Sequence, residues 1–339
     1  MADISFIFKR TTVNTKAVQT GKFHQLLVFD RAMESNHIRM VYYYRSQIDR
    51  EPEMLTSYPI VTGRLQRNEK GHWMTKCNDA GVRMVEARAK GSVVEWLENV
   101  DSEKELKLAH WEETFHRPYF WSTFHAQLTE FEEGGLAVGL SCTHLLAAPI
   151  SAPVFLKAWA DISLTGKMVK PPLFHPFPAR RPSNIDPDHN DHTQVVNCFK
   201  SSTNNSTTTT PVQHCTITLE FSDRMVRACI AVAQSISSAP NEPSPSPFES
   251  LAGLFWSRIS RVKGKKNGLI DMSICADMRK VLNLDQGFFG NCMVYNKVNG
   301  EGLSRVTLSK AAIAIRNELE KIDIEAINDL IESLEHSDD

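Results

Sequence analysis

Residues 135–164, GLAVGLSCTHLLAAPISAPVFLKAWADISL, constrain the fold more than any other stretch of the chain. An apolar run of strand length ends in His144, and Pro149 and Pro153 punctuate the loop that follows. The text then turns helical, presenting Phe155, Ala158, Trp159 and Ile162 to a core. Upstream, residues 122–131 form a second strand, and Glu132-Glu133-Gly134-Gly135 reads as the four-residue loop of a β-hairpin. Pairing Phe131 with Leu136 sets Thr123 opposite His144 and His125 opposite Cys142. Period-two alternation puts Leu136, Val138, Leu140, Cys142 and His144 on one face. Ala137, Gly139, Ser141 and Thr143 fall on the other, small enough for a second layer to pack closely.

A histidine held where a strand gives way to a loop has a fixed orientation. Near its unperturbed pKa of about 6.5 it can take a proton from a hydroxyl or an amine at neutral pH. The bland alternative is a buried histidine satisfied by backbone. Cys142, two residues away, is read as core, because same-face strand neighbours stand roughly 6.5 Å apart along the backbone.

The rest of the chain supplies context. At 339 residues it suggests two domains. A net charge of -2 gives no electrostatic footprint for nucleic acid. Seven cysteines without a CxxC pair, and no visible signal peptide, fit reduced thiols in a cytoplasmic compartment. No apolar run approaches the length of a membrane span. No histidines stand in HxH or HExxH spacing, so no metal site is expected. Residues 1–170 are compactly patterned. The proline-rich and Ser/Thr-rich text of 171–211 reads as a crossover linker, and 212–339 resumes with a strand over 212–221. Helices follow over 223–236 and 248–262, a strand over 268–278, and helical text runs from 308 to the end. Strands and helices do not alternate strictly, and no GxGxxG, Walker loop or GxSxG elbow occurs, so an α+β class is expected over a doubly wound nucleotide fold.

Several segments, in order, resemble the plant BAHD (HxxxD-type) acyltransferases. LLVFDRAMESNHIRMVYYYR is similar to that family's opening strand, with Asp30 at its acidic position. SYPIVTGRL resembles "YPLAGRL" through Tyr58, Pro59, Gly63, Arg64 and Leu65. CNDAGVRMVEA resembles "CNxxGxxFxxA", FESLAGLFWSRISR the "FxxLxAxxW" helix, and GFFGN the "GYFGN" segment. The resemblance implies two chloramphenicol-acetyltransferase-like domains with a channel between them. It implies acyl transfer from acyl-CoA to an alcohol or amine, with His144 as general base and acyl-CoA a cosubstrate, no cofactor being bound. It further implies a coenzyme A site near Arg279, Gly290 and Asn291, with Thr123 and His125 as candidate channel-lining residues.

The chain also departs from the family pattern. Where the signature reads HxxxDG, this sequence has Ala148 and Pro149 after His144. The family's "DxRxR" segment corresponds to Cys275-Ala276-Asp277-Met278-Arg279. Counted without a gap, Asp277 occupies the position of the arginine that pairs with the signature aspartate. With a two-residue deletion Arg279 becomes that partner instead. The "DFGWG" segment is absent, so an incomplete second domain is expected. These features resemble the eceriferum/glossy branch, whose members act in very-long-chain fatty acid elongation for cuticular wax, alongside a condensing enzyme. Two expectations follow: an acyltransferase, or a catalytically degenerate accessory protein. Either is expected to be a cytoplasmic monomer that could associate with the endoplasmic reticulum.

Overall fold

The computed structural model describes residues 4–14, 21–34, 36–45, 53–112, 120–178, 193–204, 219–234, 243–264, 269–300 and 307–337. In chain order the first half holds β1 (Ile4–Thr12), β2 (Lys22–Gln25), α1 (Val28–Arg31), β3 (His37–Tyr44), β4 (Arg64–Arg67), β5 (Trp73–Cys77) and β6 (Val82–Ala89). It continues with α2 (Val93–Asn99), α3 (Ser102–Leu106), β7 (Phe124–Phe131), β8 (Leu136–Thr143) and α4 (Ser151–Thr165). The second half holds α5 (Thr193–Asn204), α6 (Asp223–Gln234), α7 (Pro247–Val262), β9 (Met272–Asp277), β10 (Met293–Val298), α8 (Leu308–Glu320) and α9 (Ile324–Ser337).

Five strands form a mixed sheet in the order β1-β6-β7-β8-β3, with β6 and β7 parallel and the other pairs antiparallel. A separate three-stranded sheet has the order β2-β5-β4, and β9 pairs with β10 in the second half. One face of the large sheet carries Met84, Phe124, Ala126, Val138, Leu140 and Cys142 into the main core, where Phe155, Ala158 and Trp159 of α4 meet them. The helix pattern read from the sequence is therefore the packing pattern. The other sheet face is close-packed as expected. A Cβ on Gly139 would stand 1.9 Å from the carbonyl oxygen of Leu108, so the segment after α3 crosses the sheet at that glycine.

The hairpin differs from the expected register. Glu130, not Phe131, pairs with Leu136. Gly134 and Gly135 both adopt positive φ (109° and 108°), and the Phe131 amide closes onto the Gly135 carbonyl at 3.1 Å. The turn thereby takes one residue more than a plain four-residue loop, and each partner across the hairpin shifts by one. Phe124 faces Cys142, His125 faces Ser141, and the Thr143 amide donates to the Thr123 carbonyl at 3.2 Å.

Two further local expectations are corrected. The segment beginning LLVFDR opens as the helical turn α1, because the Asp30 carboxylate accepts the Leu27 amide at 2.8 Å and caps it; the strand begins only at His37. Within the span read as a linker, α5 buries Val195 and Phe199 in a second core with Met278, Phe288, Val294 and Ile327. Two apolar side chains four apart suffice to anchor a helix whose composition is otherwise polar. The strand read over 212–221 falls mostly outside the described residues, and its described end, Leu219–Phe221, is not in a strand.

Cores and chain halves interlock. Val28, Phe29 and Met33 from the first half pack into the second core, while Phe289 from the second half packs into the first. A third cluster closes over α2 through Trp96 and Phe131, and a fourth joins α7 to α8 through Trp256, Ala311 and Ile315.

Candidate active site

His144 follows β8 directly and is 7% exposed. Its amide donates to the Asn36 carbonyl at 2.9 Å, which extends the pairing with the strand edge of β3 by one more bond. Its carbonyl accepts the side-chain amide of Asn291 at 2.6 Å. The same Nδ2 donates to Oδ1 of Asp30 at 2.9 Å, and the Asn291 backbone amide meets that oxygen at 2.9 Å. Asp30, Asn291 and His144 thus form one buried network drawn from three remote parts of the chain.

The electrostatics follow from burial. Desolvation pushes the His144 imidazole below its ordinary pKa; its own carbonyl, the Asn291 side chain and the Ala147 carbonyl pull part of the way back. The ring is therefore neutral near pH 7, the form a proton acceptor needs. Asp30 is pushed up to about 6 by complete burial, against the hydrogen bonds from Asn291 and Leu27 and the nearby Arg31 charge. Cys142 is driven up to about 12 by burial alone, so its thiol stays protonated, in line with a core role.

The remaining candidates take distinct places. Arg279 is 7% exposed, and its guanidinium is spent internally: on the Asp277 carboxylate at 3.0 Å and on the carbonyls of Phe288 and Gly290, the latter at 3.0 Å. It stitches β9 to the GFFGN loop and does not reach Ala148. The ungapped reading puts Asp277, and the reading with a two-residue deletion puts Arg279, at the position of the signature's arginine; in the structure these two side chains pair with each other. Ala148 is fully buried, its amide 3.3 Å from the Ser151 hydroxyl, and Pro149 is half-buried beside it. Asn291 is fully buried and packs as a structural link, while Gly290 presents its carbonyl to Arg279.

Thr123 is buried one position before β7, with its hydroxyl unpaired. His125 lies on the opposite sheet face from Phe124 and Cys142, under His110 and Trp111, and burial with nearby cations lowers it to about 3. The register shift is what removes it from the face of Cys142. Arg64, read as a support for the segment after Gly63, bonds the carbonyls of Gly63, Ala80 and Gly81 at 2.8–2.9 Å. Two clefts of about 520 and 370 Å³ open along β3 and the α3 segment, with Arg39, Leu106 and Ala109 common to both; neither is lined by His144.

Asp30 is the site residue whose role the sequence concealed. Its acidic position was legible, but its partner lies 261 residues away. Among the described residues no group of three or more His, Cys, Asp or Glu could hold a metal ion, and no helix is long and apolar enough to cross a membrane.

A mixed α+β fold with a histidine at the end of a central strand, braced from the second half of the chain, defines an acyltransferase-type architecture. The profile of the Transferase family matches residues 51–338, and the chain belongs to that family, the BAHD acyltransferases. It is similar to Protein ECERIFERUM 26-like of Arabidopsis thaliana, with 31% identity over 180 residues, 48% of this chain and 42% of that protein. It is also similar to Protein ECERIFERUM 26 of the same plant, with 26% identity over 269 residues, 74% of this chain and 59% of that protein. The chain thus spans about half the length of these curated relatives. In fold it resembles vinorine synthase (TM-score 0.64, 19% identity, 94% of this chain and 76% of that one). It also resembles F. graminearum TRI101 complexed with coenzyme A and deoxynivalenol (TM-score 0.62, 14% identity, 93% and 79%).

Proposed function

We propose that the protein transfers an acyl group from acyl-CoA to an alcohol or amine, with His144 as general base. One observation carries this reading: a histidine kept neutral by burial, fixed at a strand end and tethered through its carbonyl to Asn291. In the step proposed, Nε2 of His144 takes the acceptor's proton while the acceptor oxygen or nitrogen attacks the thioester carbonyl. The tetrahedral adduct collapses, the C–S bond breaks, and the leaving thiolate receives the proton from the imidazolium. Positioning and base catalysis suffice, and no covalent acyl-enzyme is required. A neighbour in fold, TRI101, carries coenzyme A, which supports acyl-CoA as the donor.

A second reading is a non-catalytic family member that binds an acyl chain or a condensing enzyme, working in the cytoplasm or at the endoplasmic reticulum. It is favoured by Ala148 and Pro149 in the signature and by the ECERIFERUM relatives. The test is an acyl-CoA panel against purified protein, with binding and turnover both measured, for wild type and His144→Gln. General base catalysis predicts a loss of about 10²–10⁴-fold in kcat for the variant, with acyl-CoA binding kept. Undiminished transfer by the variant removes His144 from the chemistry. Binding without turnover in the wild type supports the accessory reading.

A further inference from the structure

The face of the large sheet opposite the main core carries a polar layer that the His144 site does not use. Strand register aligns one row across the sheet: Thr11, Arg83, His125, Ser141 and Arg39. The segment after α3 crosses above this row, with His110 packed on His125 and Phe6, and Trp111 on His125 and His37. Charge in the layer is one-sided. Lys9 and Arg83 both turn to Glu112, and the same carboxylate stands 3.3 Å from Nε2 of His110 and 3.9 Å from Nε2 of His125. Burial, and then the cations Lys9, Arg83 and Arg39, hold His110 below its ordinary pKa, so positive charge prevails at that ring. Hydrogen-bond acceptors are short as well. Both ring nitrogens of His125 and the Ser141 hydroxyl are sealed from solvent without a hydrogen-bond partner, and a neutral imidazole and a hydroxyl bring one proton each.

A cleft of about 370 Å³ opens on this layer, bordered by Ile4, Phe6, Arg39, Lys107, His110 and Trp111 among others. None of the described residues lining it is acidic, whereas the neighbouring cleft carries Glu105. Phe6 is 60% exposed, and Lys107 is exposed beside it on the rim. We propose that this cleft is a second binding site, separate from His144, for an aromatic carboxylate, with Arg39, Lys107 and His110 around the charged head and the rings of Phe6 and Trp111 against the flat body. A carboxylate supplies both the negative charge and the acceptors that the layer lacks, and a guanidinium meets it with parallel donors. Aromatic walls favour a flat ring through edge and offset contacts. The volume lies at the low end of the range for small-molecule pockets, which suits a bicyclic ring and not a long tail. The inference does not rest on the base role of His144, which does not line the cleft.

The experiment is a titration of the full chain, labelled with ¹⁵N-histidine, with naphthalene-2-carboxylate as the probe and 2-naphthamide and inorganic phosphate as controls. The carboxylate is expected to bind at least about tenfold more tightly than the uncharged amide, and more tightly than phosphate, which offers charge without a ring. The His110 signals are assigned by their loss in His110→Gln. In protein saturated with the carboxylate, the His110 titration midpoint is expected to move up, because an anion beside the ring favours the imidazolium. Lys107→Glu is expected to weaken binding about tenfold and Phe6→Ala about fivefold, both at surface positions that leave the fold intact. His144→Gln is expected to bind the probe as the wild type does. Equal binding of carboxylate and amide, an unmoved His110 midpoint, or unchanged affinity in Lys107→Glu and Phe6→Ala overturns the proposal. Loss of the probe in His144→Gln also overturns it, since the carboxylate would then occupy the His144 site. Phosphate binding as tightly as the carboxylate overturns the aromatic assignment.

Discussion

Asp30 is a carboxylate with no solvent and three amide protons around it, from Leu27 and from both nitrogens of Asn291. Desolvation outweighs those bonds, and its pKa rises from 3.8 to about 6. A raised carboxylate binds its proton more tightly folded than unfolded. Its contribution is therefore fully present below the unfolded pKa and is lost as pH rises through the folded one. Denaturant unfolding measured across pH 4–6 should show a decline with rising pH of up to about 3 kcal/mol from this group. Asp30→Asn should flatten that segment of the curve; an equal slope in the variant would assign the dependence to other groups. Arg279 shows the complementary logic. A buried guanidinium is tolerable because Asp277 and two carbonyls saturate it, so its charge is not left stranded.

At the level of elements, β8 is the piece most legible in the sequence and the clearest test of its own packing. Its period-two pattern announced a large face and a small face, and the large face went to the core with α4. The small face receives the backbone of Leu108 so closely that a methyl group at position 139 has no room. Gly139→Ala should cost about 1–3 kcal/mol or more by thermal or denaturant unfolding, since backbone and not a flexible side chain must move. A neutral substitution would mean that the α3 segment lifts off the sheet without penalty. The hairpin register was not legible, because a bulge depends on how two glycines close a turn and not on the alternation flanking it. The helix α5 was hidden for a related reason: Val195 and Phe199 carry its burial, and sequence composition averaged over the surrounding polar text conceals two anchors. His144 itself was legible from strand end and motif order. The Asp30–Asn291 brace was not, since nothing local in either segment points to the other.

Across the whole molecule, adjacent aromatic residues serve different interiors. Phe288 packs with Phe29, Met278 and Ile327 in the second core, while Phe289 meets Tyr58 and Phe174 at the edge of the first. Two rings on one short loop thus couple the halves, with Arg279 holding the loop's carbonyls. Phe289→Ala should destabilise by about 3–5 kcal/mol, and the loss should appear in probes placed in either half. A variant in which only the second half loosens would indicate that the two interiors melt independently.

The brace between residues 30 and 291 also orders events in time. Before residue 291 has been synthesised, a growing chain has the strand and its histidine but lacks the amide that bonds the histidine's carbonyl. Closure over such a separation is among the late and slow steps of a folding reaction. A nascent or proteolysed first half would keep the His144 amide on the Asn36 carbonyl but lack the Asn291 bond to the His144 carbonyl, so the complete set of backbone contacts comes into being only when the two distant segments meet.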